Sequence, residues 1–289
     1  MIGRSELIIN SDGSVFHLHL RPEQLADTVI LVGDPDRVDI VAGYFDACEF
    51  RVQNREFVAV TGTLNGTRLT ALSTGIGADN IDIVMNELDA LANIDFQSRT
   101  STPQKRTLRI VRIGTSGCIS DTAGLNDFLI TKKAVGLDGL LNFYDGRDCI
   151  SDADFEQQFI IHTNWPARLA TPYVVDCSPE LYALFSGTGF ADGITATAPG
   201  FYAPQGRALR VPLTIPDVNS RLASFVYNGA HITNYEMECA PIYGLAALMG
   251  HQAIAVCQII MDRVRKKADV GYNEKMKQLI QTVLTKLIS

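Results

Sequence analysis

No run of apolar residues in this sequence approaches the ~18 that a membrane-spanning helix needs. No two cysteines stand as CxxC; Cys48, Cys118, Cys149, Cys177, Cys239 and Cys257 are scattered, mostly through apolar segments. That spacing predicts buried, reduced thiols, as in a reducing compartment. GxGxxG and Walker patterns are both missing, so neither a dinucleotide nor a nucleoside triphosphate is indicated. Basic excess is missing too. Lys and Arg number 25 against 32 Asp and Glu, a net charge of −7, and an acidic chain is a poor partner for a phosphate backbone. A small anion held by a local arginine cluster is not excluded by net charge. The first residues carry Arg4 and Glu6, then Asn10-Ser11-Asp12-Gly13, with no apolar core. No secretory signal is therefore expected, and the cytoplasm is the expected location.

What is present is ordinary globular material: 46% hydrophobic and 20% charged residues, enough to build a full core without disulfides. No composition break or Pro/Ser linker divides the chain, so one domain over residues 1–289 is expected. Thr28 to Val32 reads as a buried strand running into Gly33-Asp34-Pro35-Asp36-Arg37, with a helix through Phe45. Phe57–Leu64 and Arg68–Ser73 flank Asn65-Gly66, a strong hairpin signal. Thr74-Gly75-Ile76-Gly77 then opens a helix from about Asp79 to Ala92. Leu108–Ile113 predicts a strand that ends in Gly114-Thr115-Ser116-Gly117, and Phe128–Val135 predicts another. Further strands are expected at Gly193–Ala198, Ile232–Tyr235 and Ala253–Ile260. Helices are expected at Ser178–Phe185, Glu238–Met249 and about Asn273–Leu287. Residues 93–107 and 139–176 read as surface loops or insertions. Alternating strands and helices plus one hairpin predict an α/β fold with a mixed central sheet and helices on both faces.

Three features carry chemistry. Glycines recur after strands, where open α/β sheets bind ligands and where backbone N–H groups can approach an anion, although each also serves a tight turn. Arg112 lies inside an apolar strand, which is costly unless the guanidinium meets an anion, either a structural carboxylate or a ligand. Its planar fork of donors suits phosphate, and Arg37 follows the first glycine turn. The segment Asn234-Tyr235-Glu236-Met237-Glu238 places two carboxylates at a strand-to-helix junction. One could cap the helix, or one could accept two hydrogen bonds from a vicinal diol.

These pieces, taken in order, resemble the nucleoside phosphorylase superfamily, and within it the uridine phosphorylases. The matching segments are Val15-Phe16-His17-Leu18, Gly33-Asp34-Pro35-Asp36-Arg37-Val38, Arg55-Glu56-Phe57, Ser73-Thr74-Gly75-Ile76-Gly77, Arg112-Ile113-Gly114-Thr115-Ser116-Gly117, Phe201-Tyr202 with Gln205-Gly206-Arg207, and Asn234-Tyr235-Glu236-Met237-Glu238. They run from residue 15 to about 263. The resemblance implies a single-domain, three-layer α/β/α fold of nucleoside phosphorylase type. It implies that Gly33, Arg37, Arg55, Arg112 and Thr115 bind phosphate, with Arg55 reaching a neighbouring subunit's site. It implies that His17, Met237 and Glu238 contact ribose, His17 across a dimer interface. Phe201, Gln205, Arg207 and Ser116 match the base pocket. Arg112, Glu238, Gln205 and Arg207 are the implied catalytic set.

The implied reaction is phosphorolysis of uridine to uracil and ribose 1-phosphate. Breaking the N-glycosidic bond builds positive charge on ribose and negative charge on the base. Phosphate itself can be the nucleophile, which leaves positioning and electrostatics to the protein. No metal or organic cofactor is expected; inorganic phosphate is the co-substrate. Asn80 stands where relatives carry a serine that helps hold a monovalent cation beside Glu56 and Ile76, which puts a cation site in question. The implied partners are a nucleoside, phosphate and further copies of the chain, as a homodimer or homohexamer with shared sites, and neither nucleic acid nor membrane. One methyl group is worth only ~1–3 kcal/mol, so some turnover of thymidine is expected. Two other readings stand beside this one. Asp262 falls near the position of the general acid in purine nucleoside phosphorylases, against a plainer role beside Arg263. A nucleoside-binding protein without turnover is the other alternative.

Overall fold

The computed structural model describes all 289 residues. The strands are, in chain order, β1 (Thr28–Val32), β2 (Ala47–Asn54), β3 (Phe57–Leu64), β4 (Thr67–Ser73), β5 (Ile94–Asp95), β6 (Thr100–Ser101), β7 (Arg109–Cys118), β8 (Phe128–Gly136), β9 (Tyr173–Asp176), β10 (Ala191–Thr197), β11 (Val226–Tyr227), β12 (Ala230–Glu236), β13 (Gln252–Asp262) and β14 (Lys267–Ala268), and all but β5 and β6 belong to one mixed central sheet. The helices are α1 (Pro35–Ala42), α2 (Ala78–Asn93), α3 (Arg147–Ile150), α4 (Ala153–Thr163), α5 (Pro179–Phe185), α6 (Val218–Ser224), α7 (Cys239–Met249) and α8 (Asn273–Leu287).

Parallel pairing joins β4, β1, β7 and β13 side by side. All five residues of β1 are buried, the continuous apolar run expected of a strand covered on both faces. On one flank the β3–β4 hairpin and then β2 extend the sheet antiparallel. Its turn is Asn65-Gly66, both at positive φ (48° and 75°), as a two-residue hairpin loop requires. On the other flank the order runs β13, β8, β10, β12, and β12 returns to pair with β7 at Gly117 and Cys118. That half of the sheet therefore curls into a ring. The mixed sheet matches the expectation; the ring closure is an addition that strand patterns alone do not reveal.

Most of the expected elements are in place, and two expectations need correction. The strand expected to end at Ile113 continues through Gly114-Thr115-Ser116-Gly117 to Cys118, because this stretch pairs with β13 for its whole length. Gly114 and Gly117 are thus strand residues, not turn residues. Residues 139–176 are not only loop: they hold α3, α4 and β9. Asp152 caps α4 by accepting from the Phe155 N–H at 3.0 Å, and Asn164 ends it at φ 46°. Residues 93–107 do lie outside the main sheet, with a two-residue hairpin formed by β5 and β6.

Helix α8 shows why the core holds. Met276, Leu279, Ile280, Val283, Leu284 and Leu287 fall on one stripe, and all are buried. Burial of each such side chain contributes about 1.5–3 kcal/mol. Of the cysteines, Cys118, Cys177, Cys239 and Cys257 are buried free thiols, while Cys48 and Cys149 are exposed. No helix is long and apolar enough to cross a membrane.

Packing is tight where β8 meets β9. A Cβ on Gly136 would lie 2.1 Å from the Tyr173 ring. That ring is fixed, since its hydroxyl donates to Asp138 at 2.9 Å. Gly136→Ala is expected to destabilise the protein by roughly 2–3 kcal/mol, read as a lower urea midpoint; an unchanged midpoint would show that the strand can shift to make room.

Candidate active site

Because β1, β4, β7 and β13 run parallel, their C-terminal ends share one edge, the place where α/β sheets bind ligands. A cavity of about 650 Å³ opens there. It gathers residues from segments far apart in sequence: Gly33 and Arg37, Gly75, Arg112 to Gly117, Phe201 to Arg207, Tyr235 to Glu238, and Met261. Ten of the twelve residues expected at a site line it: Gly33, Arg37, Arg112, Thr115, Ser116, Phe201, Gln205, Arg207, Met237 and Glu238. The other two, His17 and Arg55, lie outside it.

Arg112 is 5% exposed although it is charged. Its guanidinium is paired with Glu238 and lies 3.7 Å from Glu236. Two strand residues apart, Arg112 and Gly114 share a face, and a Cβ at Gly114 would collide with the guanidinium at 1.8 Å. Gly114 is there to make room. Burial alone would lower the Arg112 pKa, but Glu238 and Glu236 outweigh it, so the guanidinium stays firmly charged.

The two carboxylates have separated tasks. Glu236 caps α7: it accepts from the backbone N–H groups of Glu238 (2.9 Å) and Cys239 (2.8 Å), and from the Thr197 hydroxyl at 2.6 Å. Burial pushes its carboxyl up, with Arg112 opposing and Glu238 adding to the rise. Glu238, which lines the cavity as Glu236 does, accepts from the Gly77 N–H at 2.8 Å. Gly77, at φ 101°, is the residue before α2 and needs the freedom only glycine has.

Arg37 differs from Arg112. It is 7% exposed, makes no salt bridge, and donates to the Ile113 carbonyl at 3.4 Å, with the Tyr272 hydroxyl also near. Burial lowers its pKa, nearby Tyr272 and Asp34 partly restore it, and Arg112 repels it. A buried cation without a carboxylate partner, beside Gly33 and Thr115, is a site that an anion completes.

At the other end of the cavity, the Arg207 guanidinium lies 3.8 Å from the Phe201 ring centroid, a cation–π stack. It donates to Gln205 Oε1 at 2.6 Å and to Met261 Sδ at 3.3 Å. Burial and then the charge of Arg263 bring the Arg207 pKa down to about 10. Gln205 is buried and its Nε2 has no partner within the chain; the buried Ser116 hydroxyl has none either. This end therefore offers unmatched hydrogen-bonding groups beside an aromatic face.

Sequence reasoning missed Tyr235, Met261 and Tyr272 as lining residues. Tyr235 and Met261 had a signal, since each falls at the end of an expected strand. Tyr272 had none. Asp262 is placed otherwise than the purine alternative requires. Its carboxylate accepts from the Arg265 backbone at 2.7 Å and side chain at 2.8 Å, and does not line the cavity. The partner is Arg265 and not Arg263. Beside the cavity, the Asn80 amide donates to the Glu56 carboxylate at 3.3 Å.

The buried trio generates a prediction. A carboxyl raised in the fold favours folding below its unfolded pKa and loses that contribution as pH rises through the folded value. Arg112→Met removes the cation that opposes the rise and leaves two facing carboxylates. The variant is expected to lose roughly 3–5 kcal/mol of stability near neutral pH. The deficit should shrink as pH falls from neutral to mildly acid, as the raised Glu236 carboxyl takes up its proton and the repulsion is relieved. Urea unfolding at both pH values checks this, and a deficit independent of pH contradicts it.

Comparison with known proteins agrees with this geometry. The family model described as the phosphorylase superfamily matches residues 27–289. A protein of Thermococcus kodakarensis named uridine phosphorylase is 28% identical over 284 residues, covering 96% of this chain and 88% of that one. The uridine phosphorylase of Haemophilus influenzae is 29% identical over 262 residues, covering 88% of each. Among solved structures, a Trypanosoma brucei nucleoside phosphorylase described as showing uridine phosphorylase activity superposes with a TM-score of 0.87 at 31% identity, over 98% of this chain and 99% of that one. The fold is that of the nucleoside phosphorylases, and the chain belongs to the phosphorylase superfamily.

Proposed function

We propose that this protein is a uridine phosphorylase: it transfers the ribosyl group of uridine to inorganic phosphate, releasing uracil and ribose 1-phosphate. The observation that carries the reading is the pairing, in one cavity, of an uncompensated buried Arg37 with a base-sized end built from Phe201, Gln205 and Arg207. The names of the relatives point the same way.

In this reading phosphate sits against Gly33, Arg37, Arg112 and Thr115. Glu238 and Met237 hold the ribose. Phe201 stacks on uracil, while Gln205, Arg207 and Ser116 bond its polar edge and stabilise the charge it acquires as the glycosidic bond lengthens. Inorganic phosphate is the co-substrate in this reading. His17 and Arg55 line no part of their own cavity. They are assigned to the site of a neighbouring copy, His17 at the ribose 5′ end and Arg55 at phosphate, which makes the working unit at least a homodimer. A central sheet whose strands run from Thr28 to Ala268 supports a single domain over residues 1–289.

A purine-directed reading loses its acid, because Asp262 is occupied by Arg265 outside the cavity. The test is purified protein with uridine, thymidine, inosine and adenosine, each with and without phosphate. Phosphate-dependent uracil release is expected to lead, with thymine second. Gln205→Ala is expected to lower kcat/KM for uridine by roughly 10²-fold, while Asp262→Asn leaves the substrate ranking unchanged. Purine release in first place would refute the assignment, and ligand binding without any turnover would replace it with a nucleoside-binding protein.

A further inference from the structure

One buried carboxylate outside the cavity makes more bonds to a single residue than a structural ion pair requires. Glu87, on α2, is 8% exposed. It accepts from the His17 backbone N–H through both oxygens (3.0 and 3.1 Å), from the Leu18 N–H at 2.8 Å, and meets His17 Nδ1 at 2.7 Å. The Asn54 amide closes the other side, donating to the His17 carbonyl at 2.8 Å. Phe16 packs edge-on against the imidazole, with ring centroids 4.8 Å apart. Backbone and ring of His17 are therefore both fixed, while 27% of the side chain stays open to solvent.

A carboxylate can only accept hydrogen bonds. Facing Nδ1, it places the proton there in the neutral ring and leaves Nε2 a bare acceptor; an outer carboxylate sets the tautomer of metal-bound histidines in the same way. Glu87 also lies seven residues along α2 from Asn80, which lines the cavity; that is roughly 10 Å of helix. The fixed ring is thus held beside, and not within, its own chain's site.

We propose that Glu87 is a positioning residue for nucleoside recognition: it holds His17 in the Nδ1–H tautomer so that Nε2 accepts a hydrogen bond from the ribose 5′-hydroxyl in the neighbouring copy's site. The inference rests on the assignment of His17 to ribose made above. It adds a direction to that bond, since the sugar hydroxyl must donate.

Glu87→Gln tests this, because the substitution keeps the shape. Glutamine Oε1 can still accept from the two backbone N–H groups, but its Nε2 then donates to His17 Nδ1 and drives the ring proton to Nε2. Uridine is compared with 5′-deoxyuridine, which lacks the hydroxyl. In Glu87→Gln the 5′-hydroxyl must turn to accept from Nε2–H instead of donating to Nε2, so the KM for uridine is expected to rise by at most the ~3–10-fold that one hydrogen bond is worth. Turnover of 5′-deoxyuridine is expected to stay unchanged, and His17→Ala should remove the discrimination between the two nucleosides. Equal losses on both substrates would reduce Glu87 to a structural residue and overturn the proposal. Nitrogen NMR of the His17 ring gives a readout that does not depend on turnover: Nδ1–H in the parent, Nε2–H in Glu87→Gln. If the parent ring already carries its proton on Nε2, the proposal fails even where uridine is the substrate. If the tautomer switches as expected but the parent does not split uridine, the failure lies in the assigned reaction and not in the role of Glu87.

Discussion

The guanidinium of Arg112, buried in the central strand of a mixed sheet, is the constraint to which the rest of the site is fitted. Its register neighbours are Leu31 on β1 and Ala255 on β13, so nothing at the backbone level compensates its charge. An unpaired cation there costs several kcal/mol. The compensation comes from the β12–α7 junction, where Glu236 and Glu238 stand two residues apart. Glu238 in turn takes the N–H of Gly77 at the start of α2. One buried charge thereby ties three separate segments to a single point, and Gly114 must lack a side chain for the guanidinium to fit.

The same arrangement divides the arginines by electrostatic state. Arg112 is neutralised by carboxylates and stays where the fold puts it. Arg37, in the N-terminal turn of α1, is left without one. A polar pocket that is already charge-balanced has little drive to take an anion; one with a surplus buried cation has a strong one. The fold supplies that surplus while keeping the neighbouring charge satisfied, so the region stays folded when no anion is bound.

Much of this was legible in the sequence. Buried strands announced themselves as apolar runs, Asn65-Gly66 marked its hairpin, and the stripe on α8 set both ends of that helix. Arg112 within an apolar strand pointed to a buried partner. Whether that partner was protein or ligand was open, and the structure answers with Glu238 and Glu236. Where reading failed, non-local pairing was the reason. Gly114 and Gly117 have the composition of a turn, but β13 alongside holds them extended. The α4 helix buries only two apolar side chains, Phe155 and Phe159, a pattern too sparse to stand out. Tyr272 reaches the cavity only because α8 packs back toward α5 and β13, a tertiary fact with no local trace.

The charges also suit the course of the proposed reaction. Negative charge enters with phosphate and leaves with the base, while positive charge grows on the sugar between them. The cavity has a cation at each pole, Arg37 with Arg112 at one and Arg207 at the other, and a carboxylate, Glu238, near its middle. At the base pole, burial and Arg263 make the Arg207 charge costly when the pocket holds no anion. Negative charge arriving on the base relieves that cost, so the attraction strengthens as the glycosidic bond lengthens. Interactions that strengthen toward the transition state are the ones that accelerate a reaction. A pole already neutralised, as Arg112 is by its carboxylates, would gain less from the same change; the unpaired arginines stand where the reaction's charge is greatest.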